Sequence, residues 1–272
     1  MTAPRRFDTH LHTHFSPDGR SSLADYAALV DRGKADALGF TEHYEFWPES
    51  DACGFFREDD YLKEVAGWRS RGYEFFAGVE VDWMPAYEAE IRDRLGRHPF
   101  AYAIGSVHNL PSASVSGRDT SKFTDDATFD RVITEYRDAV VSSLSVEAFD
   151  VVGHPGVFLR HLPPSFFEGK PWTRRIEQME DDLARAVAAS GKILEVNTSG
   201  YSCARGAPCA GPFLLERFRA YGGERVSLGS DSHEASHVRR HFDQATALLV
   251  SLGFTEVWLP WDREEPAKIL RS

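Results

Sequence analysis

Apolar runs of strand length recur along the chain, and seven of them stop at a polar side chain. The first is Asp8-Thr9-His10-Leu11-His12. Ala37–Glu42 runs into His43, Phe75–Val79 into Glu80, Tyr102–Val107 into His108 and Val151–Gly153 into His154. Ile193–Val196 leads to Asn197, and Val226–Gly229 to Ser230-Asp231-Ser232-His233. Residues two apart on a strand point the same way, so His10 with His12 and Asp231 with His233 each present two ligand-type side chains on one face. A single histidine behind an apolar run is ordinarily a satisfied strand end, but seven such ends in one chain predict a metal site. His98, His161, His237 and His241 fall outside the pattern and read as surface or loop residues.

Helical periodicity fills the intervals between these runs. Ser22 and Asp25 make a capping box ahead of Leu23, Tyr26, Ala27 and Val30 on one stripe. Phe129, Val132, Ile133, Tyr136 and Val140 repeat the spacing, as do Ile176, Met179, Leu183 and Val187. The marked strand ends lie between 28 residues (Glu80 to His108) and 46 residues (His108 to His154) apart, the size of a βα unit with a helical crossover. Seven such units predict a closed barrel rather than an open sheet. Helix-to-strand joins such as Gly33–Asp36 and Arg71–Tyr73 are short, whereas Tyr44–Arg57, Asn109–Thr124, Pro155–Trp172 and Thr198–Gly211 are long. Long strand-to-helix loops build the active face of barrel enzymes, so chemistry and loop length point to one face. Thr255–Leu259 is a candidate final strand, and Ser112–Thr124 a candidate flap.

Composition narrows the class further. At 272 residues and 42% hydrophobic content, with no linker rich in Gly, Ser or Pro, the chain is expected to form one domain over 1–272. No apolar run is long enough to span a membrane and no leader pattern opens the chain, so a cytoplasmic location is expected. A formal charge of −11 argues against nucleic acid or anionic membrane as partner. A small anionic substrate stays compatible if bound divalent ions make the centre locally positive. Cys53, Cys203 and Cys209 lack metal-binding spacing and read as free thiols.

Taken in order, His10-Leu11-His12, Thr41-Glu42-His43, Gly78-Val79-Glu80-Val81-Asp82, Gly105-Ser106-Val107-His108, Gly153-His154-Pro155 and Gly229–His233 resemble the PHP (polymerase and histidinol phosphatase) superfamily, from residue 7 to about 260. Within it, Glu80–Glu88, Pro99-Phe100 and Asn197–Gly200 followed by Arg205 are most similar to the monofunctional histidinol-phosphate phosphatases. The resemblance implies a distorted (β/α)7 TIM-like barrel with its metal site at the C-terminal ends of the strands. It also implies a first metal held by His10, His12, Glu80 and Asp231, a second bridged by Glu80 to His108 and His154, and a third on Asp18, His43 and His233. Some relatives carry His at the Asp18 position, and His14 lies nearby.

Two to three divalent ions, zinc, iron or manganese, suit this imidazole and carboxylate set. Such a site activates water and clamps phosphate oxygens. Glu80, Asp231 and His233 are accordingly the expected catalytic residues, and Arg160 and Arg205 the arginines that would fork onto phosphate. Glu42, beside His43, is a candidate for orienting a ligand, and Phe46, Trp47, Phe55 and Phe56 are candidate pocket walls. The expected reaction is metal-dependent hydrolysis of L-histidinol phosphate. A relative acting on another small phosphate ester such as a nucleotide is the alternative, and a non-catalytic, metal-stabilised scaffold module is the alternative from outside enzymology. The cysteines of Cys203–Cys209 depart from the family pattern and bear on substrate identity.

Overall fold

The computed structural model describes residues 5–117, 125–262 and 267–268. Seven parallel strands form its centre: β1 (Phe7–Leu11), β2 (Ala37–Tyr44), β3 (Glu74–Asp82), β4 (Tyr102–Ser106), β5 (Val151–Val152), β6 (Ile193–Asn197) and β7 (Val226–Gly229). They hydrogen-bond in chain order, so every predicted run occupies its own place in the sheet. The ring closes just past β7. There the Asp231 N–H donates to the His10 carbonyl at 2.9 Å and the His12 N–H to the Ser232 carbonyl at 2.9 Å. The seven parallel strands with alternating helices are thus a nearly closed TIM-like barrel.

Helices follow the strands: α1 (Leu23–Asp31), α2 (Glu58–Arg69), α3 (Glu88–Arg97), α4 (Asp126–Ser143), α5 (Pro171–Ser190), α6 (Pro212–Ala220) and α7 (Phe242–Ser251). The capping box of α1 is present, with the Ser22 hydroxyl and the Asp25 carboxylate each receiving the other's backbone N–H. Both longer stripes are buried, Phe129 to Val140 on α4 and Ile176 to Val187 on α5. By contrast, α3 lacks an apolar stripe that would have announced it, because Ile91 is its buried side chain.

The two ends of the barrel differ in chemistry. At one end Tyr102, Ile104, Val151 and Ile193 pack together, and Trp261 stacks on Phe76 with ring centroids 4.4 Å apart. The Tyr102 hydroxyl reaches across the interior to the Thr9 carbonyl at 2.7 Å, which it can do because Gly39 and Gly78 carry no side chain where its ring passes. The expected final strand does form at Glu256–Val257, but it pairs antiparallel with Ala267–Lys268 instead of joining the barrel. At the other end Asn109–Leu110 and Ala113–Ser114 make a small antiparallel ribbon within the expected flap. Residues 118–124 of that flap lie outside the described residues.

Candidate metal centre

Strand ends converge on Glu80, which is fully buried on β3. Its Oε1 lies 2.6 Å from His154 Nε2 and 3.2 Å from His108 Nε2. Its Oε2 lies 3.0 Å from His43 Nδ1 and 3.5 Å from both His10 Nε2 and His12 Nε2. Asp231 Oδ1 stands 3.4 Å from His12 Nε2 and 3.7 Å from His10 Nε2. Asp18 bridges two imidazoles, with Oδ2 at 3.1 Å from His233 Nε2 and Oδ1 at 3.6 Å from His43 Nε2. His14 turns outward towards Glu64 instead. All nine residues expected to hold metal therefore share one neighbourhood. Candidate ligand atoms fall into groups such as His10, His12 and Asp231, or His10, Glu80 and His154.

Two of these residues sit on unusual backbone. His154 and Asp231 have φ of 24° and 53°, in the left-handed region that costs a residue other than glycine about 1–3 kcal/mol. The turn swings each side chain inward at the end of β5 or β7. Close packing supports the arrangement, since a Cβ on Gly229 would stand 2.2 Å from Glu195 Oε1 and 2.6 Å from the His10 Cβ.

Buried carboxylates behind the imidazoles fix how the rings face. Glu195 Oε1 accepts from His10 Nδ1 at 2.6 Å, while its Oε2 accepts the His154 N–H at 2.7 Å. Glu45 Oε1 takes His108 Nδ1 at 3.1 Å. Glu42 accepts the Ser16 hydroxyl at 2.6 Å, and Ser16 Oγ in turn accepts from His12 Nδ1 at 3.2 Å. The contacts at Nδ1 of His10, His12 and His108 leave Nε2 of those three rings as the electron-pair donor aimed at the centre, the tautomer a metal needs. Glu42 thus orients a ligand-type imidazole.

Sequence reading had passed over Glu45 and Glu195. The same two-residue alternation would have found them, because Glu45 follows His43 by two and Glu195 precedes Asn197 by two. Asn197 itself caps a turn, accepting from the Ser199 N–H at 3.1 Å, and its side-chain amide donates to Glu195 Oε2 at 3.3 Å.

A cavity of about 530 Å³ opens over this cluster. Arg160 lines it, with Nη1 3.6 Å from Asp231 Oδ2 and Nη2 donating to the Ser116 carbonyl at 2.9 Å. Arg205 does not line it. Its guanidinium pairs with buried Glu180 at 3.4 Å and lies over the Phe167 ring, while its backbone N–H donates to the Arg160 carbonyl at 3.0 Å. Of the candidate wall aromatics, Phe46 and Phe56 pack on Tyr44 within the core and Phe55 is exposed. The same loop presents Glu45, Glu49, Ser50, Asp51 and Ala52 to the cavity instead.

Electrostatics favour a cation at the centre. Burial alone would push the Glu80 carboxyl up, yet His10 and His108 hold it well below the usual range. Burial lowers His12 to about 3, helped by His233 and His43. His43 moves the other way, to about 10, because Asp18 and Glu80 outweigh its burial. Neighbouring imidazoles thus sit at opposite extremes, as expected where several nitrogens and carboxylate oxygens compete for too few protons. Glu80 Oε2 and His43 Nδ1 face each other at 3.0 Å, yet neither makes an aligned hydrogen bond there or elsewhere. A divalent ion satisfies such orphaned atoms, and the mixed nitrogen and oxygen donors fit it.

A buried cluster of histidines and carboxylates at the C-terminal ends of an α/β barrel defines a class of metal-binding barrel proteins. Residues 8–199 match the PHP domain family, and the chain belongs to that family. β7 and the Asp231–His233 segment lie beyond the matched stretch and complete the same ring.

A histidinol-phosphatase of Lactococcus lactis is 25% identical over 259 residues, covering 93% of each chain. A probable histidinol-phosphatase of Clostridium acetobutylicum is 24% identical over 242 residues, covering 88% of this chain and 91% of its own. Among solved structures, histidinol phosphate phosphatase from Lactococcus lactis, complexed with zinc, L-histidinol and phosphate, superposes with a TM-score of 0.81 at 22% identity. The match covers 96% of this chain and 99% of that one. At that identity the superposition establishes the shared fold.

Proposed function

We propose that the protein is a metal-dependent phosphomonoesterase that hydrolyses L-histidinol phosphate to L-histidinol and phosphate. The observation that carries the chemistry is the convergence of five imidazoles on the two oxygens of buried Glu80, beneath a cavity that also holds Arg160. The substrate rests on the names of the relatives and on the bound L-histidinol and phosphate of the Lactococcus structure. Such an enzyme works in histidine biosynthesis, in the cytoplasm, as one barrel unit over 1–272.

Two to three zinc, iron or manganese ions would be held in the ligand sets of the sequence analysis. His10, His12, Glu80 and Asp231 make the first, Glu80, His108 and His154 the second, and Asp18, His43 and His233 the third. When bound, such ions supply Lewis acidity for the phosphate oxygens and lower the pKa of water. The chain's own groups do the rest. Arg160 offers its guanidinium to the phosphate, Ser116 and Asp231 hold that guanidinium in place, and Arg205 steadies the Arg160 backbone. Asp231 and His233 stand at the cavity surface, positioned to hold the proton that water gives up and the leaving alkoxide needs.

Steady-state kinetics over a panel of phosphate monoesters, with metal content measured on the same sample, test this reading. Histidinol phosphate should show a kcat/KM well above those of nitrophenyl phosphate and nucleoside monophosphates. A tenfold preference for nucleotides, about 1.4 kcal/mol in transition-state binding, would shift the substrate while sparing the metal chemistry.

A further inference from the structure

The guanidinium of Arg160 is held by more than Ser116 and Asp231. Leu159 and Leu162 are buried, and the Leu162 N–H donates to the Leu159 carbonyl at 3.1 Å, so the turn leaves Arg160 and His161 side by side between two anchored leucines. Gly156 begins this turn with φ of 84°, and a Cβ there would stand 3.0 Å from the Cys209 carbonyl oxygen. The backbone under the pair is thus fixed, and both side chains are half-buried. Arg160 Nε donates to His161 Nε2 at 3.2 Å and Nη2 to the Ser116 carbonyl at 2.9 Å, while Nη1 reaches Ser199 Oγ at 3.4 Å and Asp231 Oδ2 at 3.6 Å. His161 itself does not line the cavity.

A guanidinium can fork onto a phosphate through its Nη1 and Nη2 end or through its Nε and Nη2 side. Nε carries a single hydrogen. Giving it to His161 closes the side edge, whereas the long contacts at Nη1 and the second hydrogen of Nη2 leave the end edge to a ligand. We propose that His161 is a positioning residue for the reaction, whose imidazole accepts at Nε2 and so sets the Arg160 guanidinium with its Nη1 and Nη2 edge towards the phosphate. The part requires a lone pair at the place of Nε2, which the imidazole offers when its proton is on Nδ1. The inference rests on the phosphomonoesterase reading and adds to it the residue that orients the phosphate-binding arginine.

The test uses the metal-loaded enzyme and separates the acceptor from the ring. His161→Phe keeps a ring and loses the acceptor. It should raise KM for the best-hydrolysed monoester about tenfold, with kcat within about twofold, as expected when a charged donor loses its partner. His161→Gln places a neutral acceptor at the reach of Nε2 and should bring KM back to within about threefold of the unaltered enzyme. In an Arg160→Ala background His161→Phe should change kcat/KM by less than about twofold, since His161 acts only through the guanidinium. Binding of inorganic phosphate, measured by calorimetry, should weaken about tenfold in His161→Phe. That measurement needs no turnover, so it judges His161 even where no monoester is hydrolysed and the phosphatase reading fails. Unchanged KM and phosphate affinity in His161→Phe, equal damage by Phe and Gln, or the same loss with and without Arg160 overturns the assignment. So does a His161→Phe protein that melts lower and loses in kcat as much as in KM, because His161 would then be a packing residue.

Discussion

Glu80 is the residue on which the centre turns, because its two carboxylate oxygens face five imidazoles. Glu80→Gln keeps the shape but removes the charge, and should cut kcat by several orders of magnitude with the fold retained. Asp231→Asn should do the same to a smaller degree, since Asp231 faces fewer partners. Circular dichroism and metal content on the same samples check this, and near-normal kcat with full metal content in either variant would disprove the ligand assignment. Arg160→Ala should raise KM and lower kcat/KM by about 2–4 kcal/mol, the range for truncating one partner of a desolvated charged contact. Arg205→Ala should cost less, because its guanidinium is spent on Glu180 and its hold on Arg160 is through the backbone. Equal losses at the two positions would instead place Arg205 on the phosphate.

Strand ends are where element and chemistry meet, and Gly229 shows how tightly. A methyl there would press on Glu195 Oε1 and the His10 Cβ together. Gly229→Ala should therefore destabilise by roughly 1–3 kcal/mol, the usual cost of overpacking, and lower metal occupancy as His10 is displaced. Thermal melts with metal analysis read both, and an unchanged melting temperature with full occupancy would show that the strand end relaxes freely.

The same elements show what the chain discloses. Strands and ligands were legible because apolar runs and polar stops recur with period two, and α4 and α5 because their stripes are buried. α3 was hidden because only Ile91 is buried on it, so tertiary position rather than periodicity makes it a helix. Glu45 and Glu195 were open to the same two-residue alternation, which gives the face a carboxylate takes but not the imidazole it holds. The acidic cavity wall was hidden too, because aromatics dominate the loop while its carboxylates line the cavity.

At the scale of the molecule, the candidate ligands lie on or just past β1, β2, β3, β4, β5 and β7, so bound ions would tie six of the seven barrel strands together at one end. The opposite end is already closed by apolar packing around Tyr102 and Trp261. Without cations, the ligand end would rest on the seam bonds of His12 and Asp231 and on a set of buried charges that repel or compete. An ion bound only by the folded chain stabilises by mass action, by about 4 kcal/mol when its free concentration is a thousandfold above the dissociation constant. For a chain of this size each kcal/mol moves the melting temperature by about 2–4 °C. Chelation should thus lower the apparent melting temperature by about 10 °C and abolish phosphatase activity, and both should return together on adding zinc, iron or manganese. In Glu80→Gln the chelation shift should shrink, since the residue that joins the ligand sets no longer carries its charge. Loss of activity with no change in melting would mean that the ions serve chemistry alone and that the strand ends hold themselves together. Full activity after complete metal removal would rule out the metal centre altogether.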